Sequence, residues 1–118
     1  MGVDVVVDPI GGDLAEQALR ASGWMSTYIV IGFASGPIPK FPINLVLLNN
    51  RTVIGVDWGA WTGRDPDGNQ ALLRRLMELA GTGDLHPVEP TEYPLDDVVR
   101  ALTDLQERKV GGKVVLLP

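Results

Sequence analysis

The sequence predicts an α/β fold, a parallel sheet flanked by helices, and three observations carry that prediction. Residues 27–32 form an apolar run rich in β-branched and aromatic side chains, with no apolar/polar alternation. That is the pattern of a strand covered on both faces. A valine-rich strand and an amphipathic helix precede it with short links, which is how a right-handed parallel crossover reads. Three strands end in small, glycine-containing residues, and in open parallel sheets ligands lie beyond such carboxyl ends.

The chain has 118 residues, enough for one modest domain and one core. A net charge of -5 gives no electrostatic case for nucleic acid or an anionic membrane. There is no cysteine, so neither a disulfide framework nor a thiolate metal site arises within the chain. His86, the single histidine, cannot build a zinc site alone. No apolar run reaches the length of a membrane span, and the start lacks a signal-peptide pattern. A cytoplasmic address is the default expectation.

The first strand covers residues 2–8, with Val3, Val5, Val6 and Val7 as its body. It stops at Asp8, Pro9, Ile10, Gly11 and Gly12, where proline and paired glycines break it. Asp13 reads as the N-cap of a helix over residues 14–21, with Glu16 in the capping-box position. Leu14, Ala15, Ala18 and Leu19 share one stripe, and Gly23 ends the helix. The strand over residues 27–32 follows, then a turn of small residues to Gly36.

Pro42 suits the first turn of a short apolar helix through Leu48, closed by Asn49 and Asn50. A third strand covers residues 51–57, carried by Val53, Ile54 and Val56, and Gly55 within it suggests close approach by another backbone. It leaves through Asp57, Trp58, Gly59, Ala60 and Trp61. Residues 64–69 read as a polar turn before a helix over 70–80, with Leu72, Leu73, Leu76, Met77 and Ala80 inward. Prolines at 87, 90 and 94 make residues 86–93 an extended edge segment. A last helix over 95–109 carries the stripe Leu95, Val98, Val99, Leu102 and Leu105. Gly111 and Gly112 turn the chain into a final strand over 113–117.

Parallel strands would bring the exits at 8–12, 32–36 and 57–59 to one edge. Each loop alone is an ordinary glycine-containing turn; their convergence points to a cleft. Glycine and alanine there leave backbone atoms open to a flat ligand. Single residues keep two readings. Phe33 packs on a ligand ring or plugs the core below the turn. Trp58 and Trp61 wall a cleft or anchor packing. Asp57 meets a ligand amide or forms a turn. Asp8 reads as structural, His86 as solvated, and Arg64, Arg74 and Arg75 as a solvated helix face. No nucleophile–base pair is present, so no catalytic residue is assigned.

At these residues the sequence resembles a known family. Val5 to Gly12, the turn from Gly32 to Gly36 and Val56 to Trp61 are similar to the zinc-independent quinone oxidoreductase branch of the medium-chain dehydrogenase/reductase family. Gly112 to Leu116 looks like that family's C-terminal strand. The resemblance implies that residues 1–118 are the C-terminal half of a Rossmann-type nucleotide-binding domain. It implies too that residues 87–118 would return to a catalytic domain in an intact enzyme. The glycine-rich pyrophosphate loop would lie outside the chain, which contains no G-x-G-x-x-G.

The resemblance further implies NADPH as cofactor, hydride transfer to a quinone or α,β-unsaturated carbonyl, and no metal. By the same likeness, Ile31, Gly32, Phe33 and Ala34 would line the nicotinamide end, with Val56, Asp57 and Trp58 nearby and Gly11 and Gly12 bordering the cofactor. Homodimers would form through the strand edge at 51–57, where no proline intervenes. The isolated chain is expected to be inactive. Two other classes fit the same strands: a non-catalytic oligomerisation module joined through exposed strand edges, and a small flavodoxin-like nucleotide binder.

Overall fold

The computed structural model describes residues 2–118, which form two compact units divided after Pro66. The first unit contains β1 (Val3–Asp8), α1 (Gly12–Ala21), β2 (Ser22–Val30), α2 (Asn44–Leu47), β3 (Thr52–Gly55) and α3 (Trp58–Arg64). Its sheet has the order β1-β2-β3, and both pairings are parallel. The second unit contains most of α4 (Pro66–Thr82), then β4 (Thr91–Pro94), a 3-10 turn (Leu95–Asp97), α5 (Val98–Gln106) and β5 (Val114–Leu117). Here β4 and β5 pair in parallel as a separate two-stranded sheet, so the final strand does not join β1–β3.

β2 is the central strand and the best covered. Tyr28 is 1% exposed and, with Leu19 and Ala15 of α1, makes up the buried apolar set of this unit. Its ring meets Phe41 edge-on at 5.1 Å between centroids. Val3 pairs with Ser22 but Val5 pairs with Thr27, so residues 23–26 of β2 stand opposite Asp4 alone. This bulge is closed from within: the Ser26 hydroxyl donates to Ser22 Oγ and to the Gly23 carbonyl. It is also held from the turn after α2, where Asn49 O accepts from the amide of Met25, a residue at φ 56°. Arg51, buried, donates to the carbonyls of Ser22 and Leu45 and so ties the bulge to the α2 turn.

Several sequence expectations are corrected. Asp13 does not cap α1. Gly11 is the N-cap at φ 67°, with no side-chain cap bond, and the carboxylate of Asp8 already takes the amides of Ile10 and Gly11. Glu16 instead pairs with Arg20 one turn on, at 2.6 Å. Gly23 does not end the helix; α1 ends at Ala21, and the Ser22 hydroxyl donates to the Leu19 carbonyl. β2 stops at Val30 and β3 at Gly55, both short of the predicted ends.

The exit at 57–61 is not a loop but the start of α3, capped by Asp57. The polar run at 64–69 is mostly helical, because Pro66 tolerates the first helical position and Asp67 suits the positive end of the dipole. The last helix is shorter than predicted and enters through the 3-10 turn.

Coverage is uneven. Val3, Val5 and Val7 of β1, an edge strand, are each more than half exposed. Leu72, Leu73, Leu76 and Met77 of α4 and the stripe of α5 are also exposed; in α5 only Ala101 is buried.

Candidate functional site

Parallel pairing puts Asp8, Val30 and Gly55 level with one another at one end of the sheet. Beyond that line the first two exits stay paired as if the ladder continued. Ile31 N and Gly32 N donate to Asp8 O at 2.9 and 3.4 Å. Ala34 N donates to Pro9 O and Ser35 N to Ile10 O, both at 3.0 Å. Gly12 N returns the favour to Pro37 O at 3.1 Å. On the other side Val56 N donates to Val30 O at 2.9 Å. The middle exit is therefore held by backbone bonds to both neighbours, and the convergence expected from the sequence is present.

An open cleft of about 710 Å³ lies between the second and third exits. Six of the nine predicted binding residues line it: Ile31, Gly32 and Phe33 on one wall, Val56, Asp57 and Trp58 on the other. Val30, Gly55 and Gly59 complete it, three residues the sequence reading did not name as binding. The expected close backbone approach at Gly55 is absent, since a Cβ built there would meet nothing within 4 Å. The space is open cleft.

The other three predicted residues serve the turn rather than line the cleft. Gly11 lies behind Phe33: a Cβ on Gly11 would stand 2.8 Å from Phe33 Cδ1. Gly12 faces the Ser35 side chain and borders a separate hollow of about 320 Å³ with Arg20, Pro37 and Lys40. Ala34 is fixed by its amide bond to Pro9 O.

Of the paired readings, the geometry decides some. Phe33 is 39% exposed on the cleft wall, so it is not a core plug. Asp57 is a turn former: its Oδ1 accepts from Ala60 N at 2.9 Å and caps α3. Trp58 opens that helix and is 52% exposed. Asp8 is structural, buried and fully engaged. Its Oδ1 accepts from Ile10 N and Gly11 N, and its Oδ2 accepts from the Tyr28 hydroxyl at 2.5 Å. Burial works to raise the Asp8 carboxyl, but the hydrogen bonds from Tyr28, Gly11 and Ile10 outweigh it and hold the group below its ordinary range. Burial and the same carboxylate push the Tyr28 phenol well above its usual value.

Tyr28 was not singled out by sequence reasoning. The available signal was a residue with a polar tip inside an otherwise aliphatic run, since a buried tyrosine hydroxyl must find a partner.

The sequence profile of a family described as zinc-binding dehydrogenase matches residues 1–116. A quinone oxidoreductase-like protein 2 homolog from Nematostella vectensis is 34% identical over 116 residues, covering 98% of this chain and 32% of that protein. Quinone oxidoreductase-like protein 2 of Mus musculus is 33% identical over 115 residues, covering 98% of this chain and 33% of its own length. A mycobacterial protein solved in complex with NADPH superposes with a TM-score of 0.85 at 27% identity, over 99% of this chain and 36% of that one.

The chain thus spans about a third of the length of the relatives it matches. The metal in the family description does not fit the donors present. The chain has no cysteine and one histidine, and among the described residues no group of three His, Cys, Asp or Glu side chains is placed to hold an ion.

Proposed function

The chain belongs to the zinc-binding dehydrogenase family, and on that premise we propose that it is a cofactor-domain portion of an NADPH-dependent, zinc-independent oxidoreductase. The intact enzyme would pass a hydride to a quinone or an α,β-unsaturated carbonyl. One observation carries this reading: two adjacent carboxyl-end exits of a parallel sheet border an open cleft of about 710 Å³ lined by glycines, branched aliphatic side chains, Asp57 and two aromatic rings. The likeness to an NADPH-complexed structure and to quinone oxidoreductase-like proteins supports it.

In this reading NADPH supplies the hydride, and the chain's own residues orient its nicotinamide and exclude water. Ile31 and Gly32 offer backbone groups, Phe33 and Trp58 offer aromatic rings, and Val56 adds an apolar side chain to the wall beside Trp58. Asp57 contributes by fixing the start of α3. Gly11, Gly12 and Ala34 border the cofactor indirectly, as supports of the turn. No residue of the chain acts as acid or base. The chain lacks a glycine-rich loop for the pyrophosphate, so we propose that it does not catalyse alone. A cytoplasmic address, a return of residues 87–118 to a catalytic domain, and a homodimer through the edge at residues 51–57 belong to the same proposal. The free side of β3 supports the last.

A second reading, a non-catalytic module that self-associates through strand edges, is favoured by β1. It is an edge strand with Val3, Val5 and Val7 more than half exposed. Calorimetric titration with NADPH, run beside size-exclusion chromatography, separates the two. Saturable sub-millimolar binding that Phe33→Ala and Trp58→Ala each weaken is expected. Absence of binding together with a tight oligomer would overturn the first reading in favour of the second.

A further inference from the structure

We propose that Tyr28 is a positioning residue for the cleft, acting through Asp8 on the turn that carries Phe33. The proposal rests on the cofactor reading above. The path is continuous. The Tyr28 hydroxyl donates to Asp8 Oδ2 at 2.5 Å, and its ring is clamped edge-on by Phe41. The other Asp8 oxygen accepts from Ile10 N and Gly11 N at 2.8 and 2.9 Å, which fixes the first exit. That exit in turn supplies the backbone acceptors of the second one on this side. Asp8 O, Pro9 O and Ile10 O take the amides of Ile31, Gly32, Ala34 and Ser35. Gly11, at φ 67°, leaves the room the Phe33 ring occupies. One phenol therefore orients a carboxylate, the carboxylate sets a turn, and the turn holds the wall against which a flat ligand would lie.

If the ring alone were needed to fill the core, phenylalanine would serve as well. Removing the hydroxyl alone separates the two roles, because Tyr28→Phe keeps the ring and its contact with Phe41. Asp8→Ser is the second variant. Its hydroxyl can still accept a turn amide but is too short to reach the phenol.

The test uses the full 118-residue chain, with NADPH titration by calorimetry, residue-resolved amide exchange and urea denaturation. In Tyr28→Phe, exchange should quicken at Ile10, Gly11, Ala34 and Ser35 while the amides of α4 and α5 keep their wild-type rates. NADPH affinity should fall about five- to tenfold, the change expected for loss of roughly one buried hydrogen bond's worth of pre-organisation. Asp8→Ser should match it, and the double variant should weaken NADPH no further than either single change. Wild-type exchange at those four amides in Tyr28→Phe, or loss spread evenly over the chain, would overturn the proposal. Independent, additive losses of affinity would also overturn it. If wild-type chain binds no NADPH, the cofactor reading fails, and the exchange result alone decides whether Tyr28 holds the turn. If Tyr28→Phe does not fold, Asp8→Ser carries the same comparison.

Discussion

Gly11 and Phe33 are packed backbone against ring: a Cβ on Gly11 would stand 2.8 Å from Cδ1 of Phe33, and the glycine sits at φ 67°. Two chain segments from different strands thus meet where only a residue without a side chain fits. The consequence for Gly11→Ala has two parts. The left-handed backbone costs about 1–2 kcal/mol for a residue with a Cβ, and the ring must also move. A destabilisation of about 2–3 kcal/mol is expected from urea midpoints. Phe33→Ala in the same chain should recover the steric part but not the backbone part. Equal midpoints for Gly11→Ala and wild type would show that the turn is not held against Phe33.

The acid side of the stability profile should carry the signature of Asp8. Its folded carboxyl is held below the ordinary 3.8, so its contribution is complete above that value and is lost as pH falls through the lower, folded one. Tyr28 works at the other end. Its phenol is raised, so the contribution is complete below 10.0 and is lost as pH rises beyond it, where the unfolded phenol ionises first. Urea midpoints recorded against pH should therefore fall at both extremes. Tyr28→Phe should remove part of the alkaline fall and flatten the acid one. Parallel curves for the two proteins would refute the linkage.

Arg51 is a buried cation that donates to the carbonyls of Ser22 and Leu45, while its Nε has no hydrogen-bond partner among the described residues. Arg51→Ala would leave both carbonyls unpaired and release the bulge at residues 23–26. A loss of about 2–4 kcal/mol is expected, with faster exchange at the amide of Met25. Arg51→Lys should recover only part of this, because an ammonium on a flexible stem does not reproduce the guanidinium fork. An Arg51→Ala chain as stable as wild type would mean the bulge is held without it.

Addition of zinc, or of a chelator, should leave the thermal midpoint of the chain unchanged. The sequence offers a single imidazole and no thiolate, whereas structural zinc normally takes four such donors. A reproducible upward shift with zinc at stoichiometric concentration would require a donor set that the described residues do not assemble.

The parts of the fold legible in the sequence were those set by local pattern. Valine runs, the α1 stripe and the glycine exits identified β1, α1, β2 and β3 in order, and their parallel arrangement follows from the helical crossovers between them. What was missed depended on partners distant in the chain. Asp13 looked like a cap because nothing local shows that Asp8 has already satisfied the entry amides. The residues from Asp57 to Trp61 looked like a loop because a glycine and two indoles disguise a short helix that its cap makes possible. The stripes of α4 and α5 are amphipathic, but amphipathicity states what a helix can bury and not whether a partner is present. The candidate site was legible as three turns; the buried Tyr28–Asp8 pair beneath it was not, because twenty residues separate the two.

The cap of α3 gives the last test. This helix has only seven residues, well short of what is stable in isolation, so its first turn depends on the bond from Ala60 N to Asp57 Oδ1. Trp58 is the first helical residue and part of the cleft wall, which links a local cap to the shape of the site. Asp57→Ala should cost about 1 kcal/mol, and Asp57→Ser should restore most of it, because a serine hydroxyl at the same position accepts the same amide. In a chain carrying Trp24→Phe and Trp61→Phe, Trp58 is the remaining indole and reports the change directly. Its emission should move to longer wavelength in Asp57→Ala and return in Asp57→Ser. If the alanine variant keeps the wild-type emission, then the wall at Trp58 is set by something other than this cap. The two walls of the cleft would then be independent of the turn chemistry that the sequence supplies at Asp57.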